Sequence, residues 1–100
     1  MMTPSDFQRS VSGNEPLGGL LPALTALWWA AKDNWDRAHA VVMNERDRDC
    51  AWVHAYLHRL EGDHDNARYW YRQARRKPAE ADLAAEWAAI VSALLASGGG

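Results

Sequence analysis

Cysteine is nearly absent: Cys50 is the one example in 100 residues. A lone thiol cannot close an internal disulfide, so packing must supply the stability, and a reducing compartment, the cytoplasm, is expected. Proline is sparse at four residues, which leaves long stretches free to be helical. The longest apolar run, Leu20 to Ala31, is 12 residues and is interrupted by Pro22 and Thr25, against the ~20 that a membrane-spanning helix needs. Residues 1–16 carry Asp6, Arg9 and Glu15 and do not read as a basic-then-apolar export signal. Neither charge sign dominates. A net charge of −2 argues against a general polyanion binder, so no nucleic-acid and no membrane partner is expected. Also missing are a glycine-rich phosphate loop and any serine or cysteine set in a nucleophile motif. The chain is therefore expected not to be an enzyme and to hold no cofactor.

What it has is aromatic surface. Six Trp and three Tyr can each bury ~150–250 Å², enough for a self-sufficient core in one domain of this length. Residues 1–17 mix Thr, Ser, Gly, Asn and Pro with few large apolar groups and are expected to be a flexible N-terminal arm, although Thr3 and Pro4 could start a short helix. Apolar residues then recur at helical spacing: Leu20, Leu24, Leu27, Trp28 and Ala31 in a first helix, Trp35, Ala38, Val41 and Val42 in a second. Trp52, Val53, Ala55, Tyr56, Leu57 and Leu60 cover a wide arc of a third helix, over about residues 49–60, which should contact neighbours on two sides. Asn34 and Asp63 suit N-caps, and Gly62 suits a left-handed helix end. A fourth helix runs to about Arg76 before Pro78, and a fifth, about 79–96, stacks Leu83, Trp87, Ile90, Val91, Leu94 and Leu95. The fold class is all-α: about five antiparallel helices in a single domain over residues 18–97, with a flexible tail at 98–100.

Residues Lys32 to Val42 align with Glu61 to Tyr71, and the offset from Ala38 to Ala67 is 29 residues. Self-similarity at this period signals stacked helical units. The run Gly62-Asp63-His64-Asp65-Asn66-Ala67, followed by Tyr71, Ala74 and Pro78, resembles the second half of a tetratricopeptide repeat. Ala67-Arg68-Tyr69-Trp70-Tyr71-Arg72-Gln73-Ala74 is similar to the Sel-like subclass of those repeats. Ala55 matches the small residue of the family's first helix. The period is shorter than the usual 34 or so, His58 stands where the family has a packing aromatic, and Val42 fills the aromatic slot of the first unit. The resemblance implies two helical hairpins closed by a C-terminal capping helix. It also implies a non-catalytic module that binds a protein or peptide, with self-association into a homo-oligomer as a further expectation. By that resemblance the groove-facing helix offers Trp52, Tyr56 and Arg59. Trp29, adjacent to Trp28 and pointing about 100° away from it, is a further candidate for partner contact.

A second constellation carries coordination chemistry. Cys50, His54 and His58 lie at i, i+4 and i+8 on one stripe of the third helix, with Glu61 three residues on. Histidines at i and i+4 can share a metal ion. Three donors on one straight stripe span about 12 Å at ~1.5 Å per residue, so one ion would take two of them and need help from His39 or His64. The expectation is that no metal is held, with Cys50, His54 and His58 as the candidate ligands should one be. The basic run Arg68, Arg72, Arg75, Arg76 and Lys77 reads as solvated cations near a helix C-terminus.

Overall fold

The computed structural model describes residues 2–97, and among them the chain is all-helical. Six helices follow one another: α1 (Pro4–Ser10), α2 (Pro22–Ala31), α3 (Trp35–Val42), α4 (Arg48–Leu60), α5 (His64–Ala74) and α6 (Leu83–Ala96). None is long and apolar enough to cross a membrane. The tail expected at 98–100 lies outside the described residues.

Side-chain caps set most of the helix starts. Asn34 accepts from the Arg37 N–H, Asp47 from Cys50, Asp63 from Asn66 and Asp82 from Ala85, each satisfying one of the amides a helix leaves unpaired at its start. Pro22 opens α2 at a position where the missing N–H costs nothing, so this helix begins two residues later than the apolar run. Arg75 adopts a left-handed conformation at φ 58° and ends α5 ahead of Pro78.

The turns between α2 and α3 and between α4 and α5 are the same device, 29 residues apart. The Asn34 N–H reaches the Trp29 carbonyl at 3.0 Å and the Asp63 N–H reaches His58 at 2.9 Å. Asp33 bonds back to Ala30 as Gly62 does to Arg59, and both sit at positive φ, 60° and 82°. This paired 6→1 and 5→2 pattern is a Schellman ending. Gly62 adopts it without strain, whereas Asp33 is the non-glycine residue that must tolerate it.

Every residue from Cys50 to His58 is buried, so α4 is the axis of the molecule, with α2, α3, α5 and α6 packed round it. The core joins Leu24, Leu27 and Trp28 of α2 to Val53 and Leu57 of α4 and Ile90 and Val91 of α6. The stretch read from the sequence as an arm contains α1 instead. Thr3 and Asp6 cap each other reciprocally, and Phe7 is fully buried, its ring 5.8 Å from that of Trp87. The Trp28 indole N–H donates to Ser10 Oγ at 3.2 Å and fixes the other end of α1. A single aromatic among polar neighbours carries no periodic signal, which is why this helix differs from expectation.

Candidate metal centre

Three helices bring five rings together on one side of α4. Trp35 and His39, one turn apart on α3, stack at 4.7 Å with 11° between their planes. The Trp35 indole N–H donates to the Leu57 carbonyl at 2.6 Å, pinning α3 against α4. His54 and His58 of α4 lie 5.0 Å apart centroid to centroid. From α5, Trp70 covers His54 at 3.9 Å, nearly parallel to it. His39 closes the group at 4.7 Å from His54 and 5.5 Å from His58.

One nitrogen from each of His39, His54 and His58 lies within 4.8 Å of the other two. The Nε2 atoms of His39 and His54 are 3.0 Å apart. In a tetrahedral site with Zn–N near 2.0–2.1 Å, ligand nitrogens sit about 3.3 Å apart and imidazole centroids about 5.2 Å apart. The observed centroid spacings bracket that value, and the His39–His54 nitrogen pair falls a little short of the nitrogen one.

His58 Nδ1 lies 2.6 Å from Glu61 Oε1. With that N–H donating to the carboxylate, the Nε2 lone pair of His58 is free for a ligand, the carboxylate–histidine arrangement that orients metal-binding imidazoles. His54 Nδ1 is the buried side-chain polar atom with no hydrogen-bond partner among the described residues. Leaving such an atom unpaired costs about 1–3 kcal/mol. Burial drives the His54 pKa down to about 4, helped by His39 and His58. Burial, then the charge of His58, also holds His39 below the usual imidazole value, while Glu61 and Asp36 pull the other way. Both rings therefore stay neutral near pH 7, the form that binds metal.

Cys50 does not join them. It is buried beside Leu21, Leu24 and Leu94 at a different cavity, and burial together with the Asp47 hydrogen bond pushes its thiol well above the ordinary range. His64 is exposed and outside the cluster. Of the sequence candidates, His54 and His58 converge, and the helper that reaches them is His39. Trp35 and Trp70 were not singled out as part of this group. The available signal was the i, i+4 pairing of Trp35 with His39, matching that of His54 with His58.

The partner-binding candidates occupy other positions. Trp52 is 8 % exposed, and the Arg76 guanidinium sits 3.4 Å from its ring centroid. Tyr56 is buried, its pKa pushed up to about 12 by burial and by Glu86. Arg59 donates to Glu86 Oε1 of α6 at 2.9 Å and to the Ala81 carbonyl. The segment after α5 and α6 itself thus cover the face those residues were expected to open. Trp29 is half-buried, edge-on to Trp28, with Arg37 4.6 Å from its ring. No family model, curated protein or solved structure matches this chain.

Proposed function

We propose that this chain is a small helical metal-binding protein that holds one divalent transition ion, Zn²⁺ foremost, on His39, His54 and His58. The observation that carries the reading is the convergence of three imidazoles from two helices, one nitrogen of each within 4.8 Å of the others and the ring centroids 4.7, 5.0 and 5.5 Å apart. Neutral imidazoles suit Zn, Cu and Ni over hard cations, because no carboxylate or carbonyl belongs to the triad. Glu61 supports it by orienting His58, and His39 and His54 turn their Nε2 atoms toward one another at 3.0 Å. The sequence reading expected no metal; the arrival of His39 from α3 is what changes it. The test is equilibrium dialysis against Zn²⁺ with metal analysis of the folded protein. One ion per chain is expected, lost in His39→Ala and His58→Ala while far-UV circular dichroism holds. Folded protein that takes up no Zn²⁺ overturns the reading.

A second reading is favoured by the repeated turn and by the exposed Leu17 and Leu21, at 41 % and 52 % exposure. In it α2–α3 and α4–α5 are tetratricopeptide-like hairpins closed by α6, forming a non-catalytic module for a protein or peptide partner in the cytoplasm. Exposed leucines on a chain this small also favour a homo-oligomer. Light scattering on a sizing column tests that extension: a dimer that Leu21→Asp dissociates supports self-association, and a monomer at high concentration removes it. Neither reading involves nucleic acid or a membrane.

A further inference from the structure

We infer that the cleft under the α5–α6 connection binds a small phosphate monoester with an apolar or aromatic body, at a site separate from the ring cluster. Trp52 belongs to this cleft. It stands two residues before His54 on α4, about 200° round the helix from it.

The cleft encloses about 480 Å³, within the ~300–1,000 Å³ usual for small-molecule sites. Arg75, Arg76 and Lys77 all line it, and Ala79, Ala81, Ala85 and Ala89 give it apolar walls. Three members of the basic run in the sequence thus face one concavity. The backbone explains why. Arg75 leaves α5 in a left-handed conformation, and the Arg76 N–H closes the turn on the Tyr71 carbonyl at 3.0 Å. From that turn the Arg76 side chain reaches back over α4, where its guanidinium carbon sits 3.4 Å from the Trp52 ring centroid.

At this separation the planar guanidinium must lie against the indole face, because a nitrogen turned inward would enter the ring. Its N–H bonds then run parallel to that face and are held in one orientation before any ligand arrives. The arginine side chains that donate to protein acceptors among the described residues are those of Arg9, Arg59 and Arg68. Arg75 and Arg76 are not among them, and neither they nor Lys77 pairs with a carboxylate there. A fixed guanidinium with free N–H groups suits two parallel hydrogen bonds to an oxyanion.

Two acids share the lining. Glu86 is already neutralised by Arg59 and accepts from the Tyr71 hydroxyl. Glu80 is exposed and is one carboxylate against three cations. The end of α5 and the start of α6 contribute opposite half-charges and offset each other. An excess of two positive charges matches a phosphate monoester, which carries about −1.5 to −2 at pH 7, better than a lone carboxylate. The alanine walls then receive the apolar body.

The test titrates the full chain with phenyl phosphate, by calorimetry and by ¹⁵N NMR of the Trp52 indole N–H, assigned from the Trp52→Phe spectrum. Saturable binding that moves this resonance and weakens with added salt is expected. Arg76→Gln keeps a planar group for Trp52 without the charge and should weaken binding about tenfold or more. Arg75→Gly should also weaken it while raising the melting temperature, because glycine adopts this φ of 58° without strain; that loss cannot be unfolding. Inorganic phosphate, lacking the body, should bind about tenfold more weakly still. No saturable binding of phenyl phosphate overturns the site, and so does an affinity that Arg76→Gln leaves unchanged. Equal affinity for inorganic phosphate overturns the apolar body. A phosphotyrosine peptide that binds far more tightly than phenyl phosphate overturns the small-molecule ligand in favour of a protein partner.

Discussion

Glu86→Ala should remove about 3 kcal/mol of stability, for reasons visible in what its carboxylate holds. The side chain enters from α6 and is 4 % exposed. One oxygen accepts from Arg59 Nη1 at 2.9 Å, and the other accepts from the Tyr71 hydroxyl. Truncation leaves the Tyr71 phenol without this acceptor and the Arg59 guanidinium without its charged partner. Removing one member of a buried ion pair costs about 3–5 kcal/mol, because the survivor remains desolvated. The lower end applies, since the Arg59 side chain is 18 % exposed and keeps the Ala81 carbonyl. For a domain whose total stability is roughly 5–15 kcal/mol, this shift is large. Urea denaturation followed by tryptophan fluorescence reads it directly. Arg59→Met with Glu86→Leu should recover most of the loss, because replacing both partners by apolar groups is often close to neutral. A Glu86→Ala midpoint within about 0.5 kcal/mol of the parent, the usual size of a surface substitution, would refute the reasoning. It would also return Arg59 to the partner-facing role that the resemblance implied.

Four further outcomes follow from the same geometry. In metal-free protein, His54 has a folded pKa of about 4 against ~6.5 unfolded. Its contribution of about 3 kcal/mol is then present above pH 6.5 and lost as pH falls toward 4, because the unfolded state binds the extra proton; chelator-treated His54→Phe should lose most of that slope, and an unchanged slope would sink the assignment. Ala67→Trp should cost ~1–3 kcal/mol or more by forcing α5 away from α4, and a melting temperature equal to the parent's would show that the close approach is not required. Phe7→Ala should cost about 3–5 kcal/mol, whereas a mobile arm would give a melting curve like the parent's. Glu61→Gln should weaken Zn²⁺ binding about 10–100-fold through loss of the carboxylate behind His58, and competition with a chromophoric chelator would expose an unchanged affinity.

How far the sequence reaches can be judged residue by residue. Asn34, Gly62 and Asp63 announce their turns because capping and left-handed backbone are local chemistry, decided within four residues. The wide apolar arc of α4 announces a central helix for the same reason: periodicity reports which faces are apolar. It does not report what lies across them. Trp52, Tyr56 and Arg59 were assigned a groove from the resemblance, and what covers them is the α5–α6 connection and Glu86, 27 residues after Arg59. Phe7 was invisible because it has no apolar partner in its own short helix and finds Trp87 at the far end of the chain.

The triad illustrates the same limit from the other direction. At the 29-residue offset, His39 corresponds to Arg68, Trp70 to Val41, and His58 to Trp29. Positions that a plain repeat would fill alike differ at the ring cluster, and they differ on three helices. The repeated turn sets α3 on α2 and α5 on α4, a scaffold that places small residues at Ala38 and Ala67, both buried. The rings at His39, His54, His58 and Trp70 are not needed for that packing: aliphatic side chains would fill the space without an unpaired buried nitrogen at His54. On the proposed metal reading, what these rings supply that leucine would not is nitrogen lone pairs facing one another, as the Nε2 atoms of His39 and His54 do at 3.0 Å.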